Sequence, residues 1–158
     1  MVASTVPQLL YVENAARTFL SHRLKQAVRV RELGFDVAVA CPPDALQDRI
    51  RQAQIPVHSY TWARGVASAV QEAKAVAGLA RLYRQVKPSI VHHFTPKLVI
   101  GGGVAARMAR VPVAFVLHRQ LARREGLRQP LFDLVTDAHF PAFSDIFSAA
   151  SSICRCLD

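Results

Sequence analysis

The fold of this chain is decided by KPSIVHHFTPK at residues 87–97, where a short apolar strand runs directly into polar residues. The pattern predicts a strand from Ile90 to His93, followed by a helix that opens on three glycines at residues 101–103. Ligands of an open parallel α/β sheet bind beyond the carboxyl ends of its strands. We therefore expect the polar residues at the end of this strand to face a ligand.

Segments on both sides of this stretch repeat the same order of strand and helix. Apolar or alternating runs predict strands at residues 7–12, 35–41, 55–60, 90–93 and 112–117. Helical spacing predicts helices at residues 17–33, 66–85 and 101–110. A further helix is predicted to begin after a cap at Asp44 and to end at residue 54. This alternation predicts an α/β fold, a Rossmann-like parallel sheet with helices on both faces. We expect this domain to cover residues 3–120 and an atypical, irregular or helical tail to cover residues 121–158.

Composition bounds the class of protein. The 158 residues are 51% hydrophobic and 20% charged, which is typical of a folded soluble chain. No apolar run approaches the roughly 20 residues that span a bilayer, and residues 1–12 lack a signal-peptide pattern. Cys41, Cys154 and Cys156 are too few and too unevenly spaced for a disulfide framework or a zinc site. We expect a cytoplasmic protein.

The net charge of +9 is concentrated in the first part of the chain. Residues 1–110 hold 15 Lys and Arg against 6 Asp and Glu, whereas residues 111–158 are balanced. A positive field of this kind favours anionic partners, such as phosphorylated small molecules, an acidic membrane or nucleic acid. A solvated basic surface that only maintains solubility explains the charge equally well.

Missing motifs argue against several kinds of site. The turn after the first strand, residues 12–17, has no glycine for a pyrophosphate, and the glycines at residues 101–103 lack the lysine of a P-loop. These glycines either hold an anion at a helix start or let the helix pack closely on the sheet, and we favour packing. No catalytic triad, pair of carboxylates or metal-ligand cluster is visible, so we expect neither a metal nor a cofactor.

Candidate binding residues follow two of the predicted strands. After the first strand come Asn14, Thr18, Ser21, His22 and Arg23, whose amide, hydroxyl, imidazole and guanidinium groups suit hydroxyls or phosphate of a polar ligand. Helix capping and solvation are the alternative roles of Asn14 and Arg23.

The fourth strand ends in His92 and His93, with Thr95 and Lys97 close behind. Successive side chains of a strand point to opposite faces, so at most one histidine is expected to reach a cleft. It would act there as a base or hydrogen-bonding group, and a histidine satisfied inside the core is the equally weighted alternative. Lys97 either balances a phosphate or is a solvated lysine.

Together these segments resemble the N-terminal domain of family 4 bacterial glycosyltransferases, which have GT-B architecture. The segments that carry the resemblance are LYVENAA (10–16) with FLSHRL (19–24), GFDV (34–37) with ACPP (40–43), and KPSIVHHFTPK (87–97) leading into GGVAAR (102–107). The family's full enzyme has two Rossmann-like domains that face a cleft, the first for the acceptor and the second for the nucleotide sugar. The chain departs from the family at residues 117–124, where members carry a glycine-rich loop.

The resemblance implies that this chain is the acceptor-binding half of a glycosyltransferase and is inactive alone. A nucleotide-sugar donor is expected as a partner only if a second domain is supplied. The truncation can reflect an interrupted gene, a split enzyme or a degenerate remnant. Acceptor-binding residues carried over by position are Asn14, Ser21, His22, Arg23, His92, His93, Thr95 and Lys97. The acceptor is a lipid-linked or saccharide molecule, and the basic first helix leaves peripheral contact with an anionic membrane open.

One alternative comes from another class of protein. A non-catalytic Rossmann or flavodoxin-like module would use the same positive face to bind an anionic ligand without chemistry. No helix-turn-helix or aromatic RNA-binding signature is present, so we do not expect nucleic acid as the partner.

Overall fold

A computed structural model describes residues 6, 8–62 and 68–116 of the chain. These residues form five strands and five helices, in the order β1 (Gln8–Val12), α1 (Ala16–His22), α2 (Leu24–Glu32), β2 (Asp36–Cys41), α3 (Gln47–Gln52), β3 (Val57–Ser59), α4 (Ala69–Val86), β4 (Ile90–His93), α5 (Pro96–Ala109) and β5 (Val113–Val116). The predicted tail at residues 121–158 and the departure from the family pattern at residues 117–124 lie outside the described residues.

The predicted parallel sheet is confirmed. Its strand order is β3-β2-β1-β4-β5, and every neighbouring pair is parallel. The chain first builds outward from β1 to β3 and then returns to the other side of β1 to add β4 and β5. Strand order therefore reverses between β1 and β4, where Val12 and His93 are level. A ligand crevice of a doubly wound sheet forms at such a switch point, beyond the carboxyl ends of the two strands.

Helices cover both faces of the sheet, as predicted. Alternation along β1 sends Leu9 and Tyr11 to one face, where they pack with α1, α2 and α3. Leu10 and Val12 point to the other face and pack with α4 and α5. Each strand near the centre is therefore buried on both sides, which fixes the position of the residues that follow its last hydrogen bond.

The single helix predicted at residues 17–33 is wrong, because the structure has two helices that meet at Arg23. This residue ends α1 and precedes α2, with φ −119° and ψ −19°, and its backbone N–H bonds the carbonyl oxygen of Phe19. Apolar residues keep a helical spacing across the break, since Phe19, Ala27 and Val30 all pack in the same cluster. Periodicity alone therefore could not reveal it.

The predicted start of the last helix, at the three glycines, is also wrong. Helix α5 begins at Pro96, with Thr95 as its N-cap, so residues 101–103 lie in its interior. Their amide groups belong to the helix and do not form its anion-binding N-terminus. Packing is the role that the structure supports, because a Cβ on Gly102 would overlap the His93 ring and one on Gly101 would overlap Trp62.

The remaining elements differ from the predictions only at their ends. Helix α3 starts at Gln47, and Asp44 lies before it, where its Oδ1 accepts a 2.9 Å hydrogen bond from the Leu46 N–H. Helix α4 has a capping box in which Ser68 and Gln71 bond each other's backbone N–H. It ends at Lys87 in the left-handed conformation, with φ 51°, which turns the chain into β4.

Candidate functional site

The switch point between β1 and β4 collects side chains from three segments. Glu13 and Asn14 follow β1, Phe94 and Thr95 follow β4, and Arg23 lies at the junction of α1 and α2. Arg23 connects the other two segments, because its Nε lies 3.8 Å from Glu13 Oε1 and its guanidinium carbon lies 4.2 Å from the centre of the Phe94 ring. A charged group is therefore held between the ends of the two central strands.

Glu13 is fixed by its backbone. Its N–H donates a 2.9 Å hydrogen bond to the carbonyl oxygen of Ala40, and its own carbonyl oxygen accepts a 2.7 Å hydrogen bond from the Tyr60 hydroxyl. The side chain is completely buried, and neither carboxyl oxygen has a hydrogen-bond partner in the described part of the chain. A buried carboxyl without hydrogen bonds is costly in its ionised form. Glu13 is therefore the most unusual group at the switch point.

The protonation of Glu13 follows from this environment. Burial raises the pKa of its carboxyl from 4.5 to about 7, although the Arg23 guanidinium acts in the opposite direction. The group thus changes charge near neutral pH, and its ionised form strengthens the ion pair with Arg23. Sequence reasoning missed Glu13, which directly follows the strand predicted at residues 7–12 and is not among the candidate binding residues. The signal was available as a carboxylate placed directly after an apolar run.

Arg23 presents the positive charge of the site. One of its terminal nitrogens, Nη1, donates a 3.3 Å hydrogen bond to Gln26 Oε1, and 22% of the side chain is exposed. Its position over the Phe94 ring gives a cation–π contact. The guanidinium is thus held by a carboxylate, an amide and an aromatic ring while part of it faces solvent. This arrangement suits the binding of a phosphate or carboxylate.

His92 lies within a group of aromatic rings on the same face. Its ring centre is 4.0 Å from that of Phe94 and 5.7 Å from that of Tyr11, and the Tyr11 and Phe94 rings are nearly parallel at 5.6 Å. Burial, the Arg23 charge and His93 lower the pKa of His92 to about 3. His92 is therefore a neutral imidazole at physiological pH, able to donate or accept a hydrogen bond but carrying no charge.

His93 points to the opposite face, as the alternation predicts. It is completely buried, and its Nε2 lies 2.8 Å from the Tyr83 hydroxyl of α4, in a hydrogen bond whose direction depends on the tautomer. Gly102 of α5 packs against the same ring. This is the environment of a core histidine, which was the alternative left open by the sequence.

The other candidates are more exposed. Thr95 is the N-cap of α5, and its side chain makes no capping hydrogen bond. Lys97 Nζ lies 2.5 Å from Glu72 Oε1 of α4, so its charge is already paired. Asn14 is exposed beside Glu13. Ser21 Oγ donates to the carbonyl oxygen of Arg17, at 2.9 Å, and is exposed.

His22 is the exposed last residue of α1. The structure thus brings Asn14, Arg23, His92 and Thr95 to the switch point and places Lys97 in the first turn of α5. It leaves Ser21 and His22 on the outer surface and buries His93. Among the described residues no cluster of His, Cys, Asp or Glu has the composition of a metal site. Within the same residues, no helix has the length and apolar character needed to cross a membrane.

The sequence model of the family described as "Glycosyl transferase 4-like" matches residues 8–120. The fold is similar to that of MurG from Acinetobacter baumannii, with a TM-score of 0.54, 20% identity, and coverage of 70% of this chain and 35% of MurG. It is also similar to HepE from Anabaena, solved in complex with UDP and glucose, with a TM-score of 0.52, 22% identity, and coverage of 82% and 34%.

A third similar structure is the glycosyltransferase VinC in complex with dTDP, with a TM-score of 0.53, 16% identity, and coverage of 85% of this chain and 40% of VinC. At these identities the likeness concerns the fold. The chain spans about a third of the length of MurG and HepE. No protein of curated function matches it in sequence.

Proposed function

Because this chain belongs to the glycosyl transferase 4-like family, we propose that it is the acceptor-binding half of a glycosyltransferase. The full enzyme would move a sugar from a nucleotide sugar to a lipid-linked or polysaccharide acceptor. The observation that carries the proposal is the position of Arg23, Glu13 and Phe94 at the switch point, because this is where a family member with a second domain would face its cleft.

The proposed roles of the residues follow their positions. Arg23 binds an anionic group of the acceptor, for which a phosphate of a lipid carrier is the best match. Asn14, His92 and Thr95 contribute neutral hydrogen-bonding groups that suit hydroxyls. Lys97 lies at the edge of the site, where its ion pair with Glu72 joins the start of α5 to α4. Ser21 and His22 extend the surface outward, while His93 acts indirectly by fixing α4 and α5 against β4.

Sugar transfer needs groups beyond these residues. A bond forms between an acceptor oxygen and the anomeric carbon, the bond from that carbon to the nucleotide phosphate breaks, and the departing phosphate takes the acceptor proton. This chain would bind and orient the acceptor hydroxyl, while a second domain would hold the donor. The donor held by the second domain would be a cytoplasmic nucleotide sugar. Exposed cations on the first two helices, such as Arg17 and Lys25, would favour contact of this chain with an anionic membrane surface.

We expect the purified 158-residue chain to transfer no sugar when it is incubated with nucleotide sugars and a polyprenyl phosphate. The physical reason is that the described residues supply no site for the donor's diphosphate comparable to a glycine-rich turn at β1. Transfer is measured as radiolabelled product in the lipid phase. Turnover by the chain alone would contradict the acceptor-half assignment.

Acceptor binding tests the site directly. We expect the Arg23→Ala variant to bind farnesyl phosphate about tenfold more weakly than the wild type, since a hydrogen bond to a charged group contributes about 1.5–3 kcal/mol. Arg49→Ala is the matched control, because it removes one exposed cation from α3, away from the switch point. Binding is measured by calorimetry with farnesyl phosphate and, in parallel, with farnesol. The difference between the two ligands gives the part of the binding free energy that depends on the phosphate. Equal losses in the two variants would mean that only the overall charge attracts the ligand.

The same titration separates a second candidate function. The excess of cations in residues 1–110 also fits a non-catalytic module that binds an anionic ligand. Such a module would bind farnesyl phosphate, or inorganic pyrophosphate, without supporting transfer when a donor-binding domain is added. If this chain and an added donor-binding domain together transfer sugar, and Arg23→Ala abolishes that transfer, the enzyme is favoured over the non-catalytic module.

A further inference from the structure

A second concave surface lies between the end of β3 and helix α4, and we call it the α4 groove. It has a volume of about 530 Å³. Its walls include Tyr60 and Trp62 after β3, and Gln71, Lys74, Gly78 and Arg81 on α4. None of the candidate residues of the switch point lines the α4 groove, so the groove is a separate surface.

The α4 wall is one continuous face of a helix with a positive charge. Its lining residues recur at spacings of three and four, which places them along a single stripe. Lys74 and Arg81 are seven residues apart, hence about 10 Å apart along the helix axis. Neither forms an ion pair among the described residues, and no described acidic residue lines the groove. The groove therefore suits an extended ligand with repeated negative charges.

Trp62 adds an aromatic surface and an unused donor. Its ring packs against Gly101 of α5 and lies edge-on to the Tyr60 ring, with 6.4 Å between ring centres. The indole N–H is buried and has no acceptor in the described part of the chain. Buried donors of this kind are rare, and each one calls for an explanation such as an acceptor supplied by a ligand.

Gly78 keeps the middle of the groove open. It lies inside an 18-residue helix, where glycine is less favourable than alanine, and a Cβ at this position would meet no atom within 4 Å. Neither close packing nor a left-handed backbone therefore requires a glycine here. The missing side chain instead leaves free space between Lys74 and Arg81, as an extended ligand would need.

The groove is connected to the switch point through Tyr60. This largely buried residue is among those that line the groove, and its hydroxyl donates to the Glu13 carbonyl oxygen at 2.7 Å. The groove begins at residues that follow β3, so it lies toward the same carboxyl edge of the parallel sheet as the switch point. The Oε1 of Gln71 accepts the Ser68 N–H in the capping box, and its NH2 group is a donor that suits a sugar hydroxyl, which favours a saccharide over a lipid tail.

We propose that the α4 groove binds an acidic saccharide segment of the acceptor, at a distance from the hydroxyl that reacts. The inference rests on the proposed function for the identity of the ligand, and it adds a second, separate binding surface. Lys74 and Arg81 bind the acidic groups, Gln71 bonds neighbouring hydroxyls, and Trp62 supplies the aromatic wall.

The experiment uses the full chain and its single tryptophan, Trp62, as the reporter. Titration with a hexamer of galacturonic acid is expected to change the tryptophan emission and to saturate, whereas neutral maltohexaose produces a change only at concentrations at least about tenfold higher. The double variant Lys74→Ala/Arg81→Ala is expected to weaken binding of the acidic hexamer by about tenfold or more. Equal binding of the neutral and the acidic hexamer would overturn the proposal.

Two controls keep the result specific. Lys25→Ala/Arg49→Ala removes the same number of exposed cations outside the groove and is expected to leave binding unchanged. Gly78→Glu fills the groove with a negative side chain and is expected to abolish binding without loss of helical circular dichroism. An equal loss in the Lys25/Arg49 pair, or tighter binding of a thymidine 15-mer than of the hexamer, would overturn the proposal.

The test is separate from that of the proposed function. Arg23→Ala is expected to weaken farnesyl phosphate binding but not binding of the acidic hexamer, because Arg23 does not line the groove. Loss of hexamer binding in the Lys74/Arg81 variant alone supports the groove even if farnesyl phosphate does not bind. Farnesyl phosphate binding that depends on Arg23, combined with no hexamer binding, contradicts the groove and leaves the switch-point site intact.

Discussion

Replacing Glu13 with glutamine is expected to remove a large pH-dependent loss of stability. Burial raises the pKa of Glu13 from 4.5 to about 7, so the folded state binds a proton that the unfolded state has released in this interval. The stability that the neutral carboxyl provides is fully present below pH 4.5 and is lost as the pH rises to about 7. A shift of this size corresponds to about 3 kcal/mol.

Other groups change the total in the opposite direction. The pKa of His92 is lowered to about 3, so its contribution is present above about pH 6.5 and is lost as the pH falls. The wild-type profile alone is therefore not diagnostic. The difference in the free energy of unfolding between Glu13→Gln and the wild type is diagnostic, because His92 is common to both proteins and its contribution cancels.

Urea unfolding measured from pH 4.5 to pH 7.5 checks this prediction. The free energy of unfolding of Glu13→Gln, relative to the wild type, is expected to increase by about 3 kcal/mol across this range. Its absolute value also includes the cost of burying an amide, which does not depend on pH. A flat difference for Glu13→Gln would mean that its carboxyl is solvated or hydrogen-bonded.

The strands and their common direction could be predicted because their signals are local. Short apolar runs separated by helix-length segments leave few arrangements other than right-handed crossovers. The start of α5 was also encoded, by Thr95 and Pro96 as N-cap and first helical residue, but the glycines at residues 101–103 were taken as the start instead. The break at Arg23 was not encoded in the pattern, since apolar spacing runs through it.

The site was only partly predictable for a different reason. Parallel strands bring their carboxyl ends to one edge, so Asn14 and Thr95 could be expected near each other from the topology. Alternation also placed His92 and His93 on opposite faces. Which face holds Arg23 and which holds Tyr83 depends on how the helices distribute over the sheet, and that is a tertiary property. The unusual burial of Glu13 follows from the same packing and was not visible from spacing.

The second large effect is expected at Gly102. A Cβ at this position would overlap the His93 ring, whose Nε2 bonds the Tyr83 hydroxyl at 2.8 Å. Both partners are buried, so the ring cannot move aside without breaking that bond or shifting α5 from the sheet. Overpacking of a filled core costs about 1–3 kcal/mol. Gly102→Ala is therefore expected to lower the free energy of unfolding even though alanine favours helix.

Gly78→Ala is the matched control, because it makes the same chemical change inside α4 where a Cβ meets no atom within 4 Å. It is expected to raise the free energy of unfolding by about 0.5–1 kcal/mol, the ordinary difference between glycine and alanine in a helix. Urea unfolding of the two variants should thus give changes of opposite sign. His93→Ala is itself destabilising, but Gly102→Ala should cost less in the His93→Ala background than in the wild type, since the effects of residues in contact are not additive. If Gly102→Ala stabilised the chain as much as Gly78→Ala, α5 would not pack against β4 at this distance, and the close approach that fixes Thr95 at the switch point would be wrong.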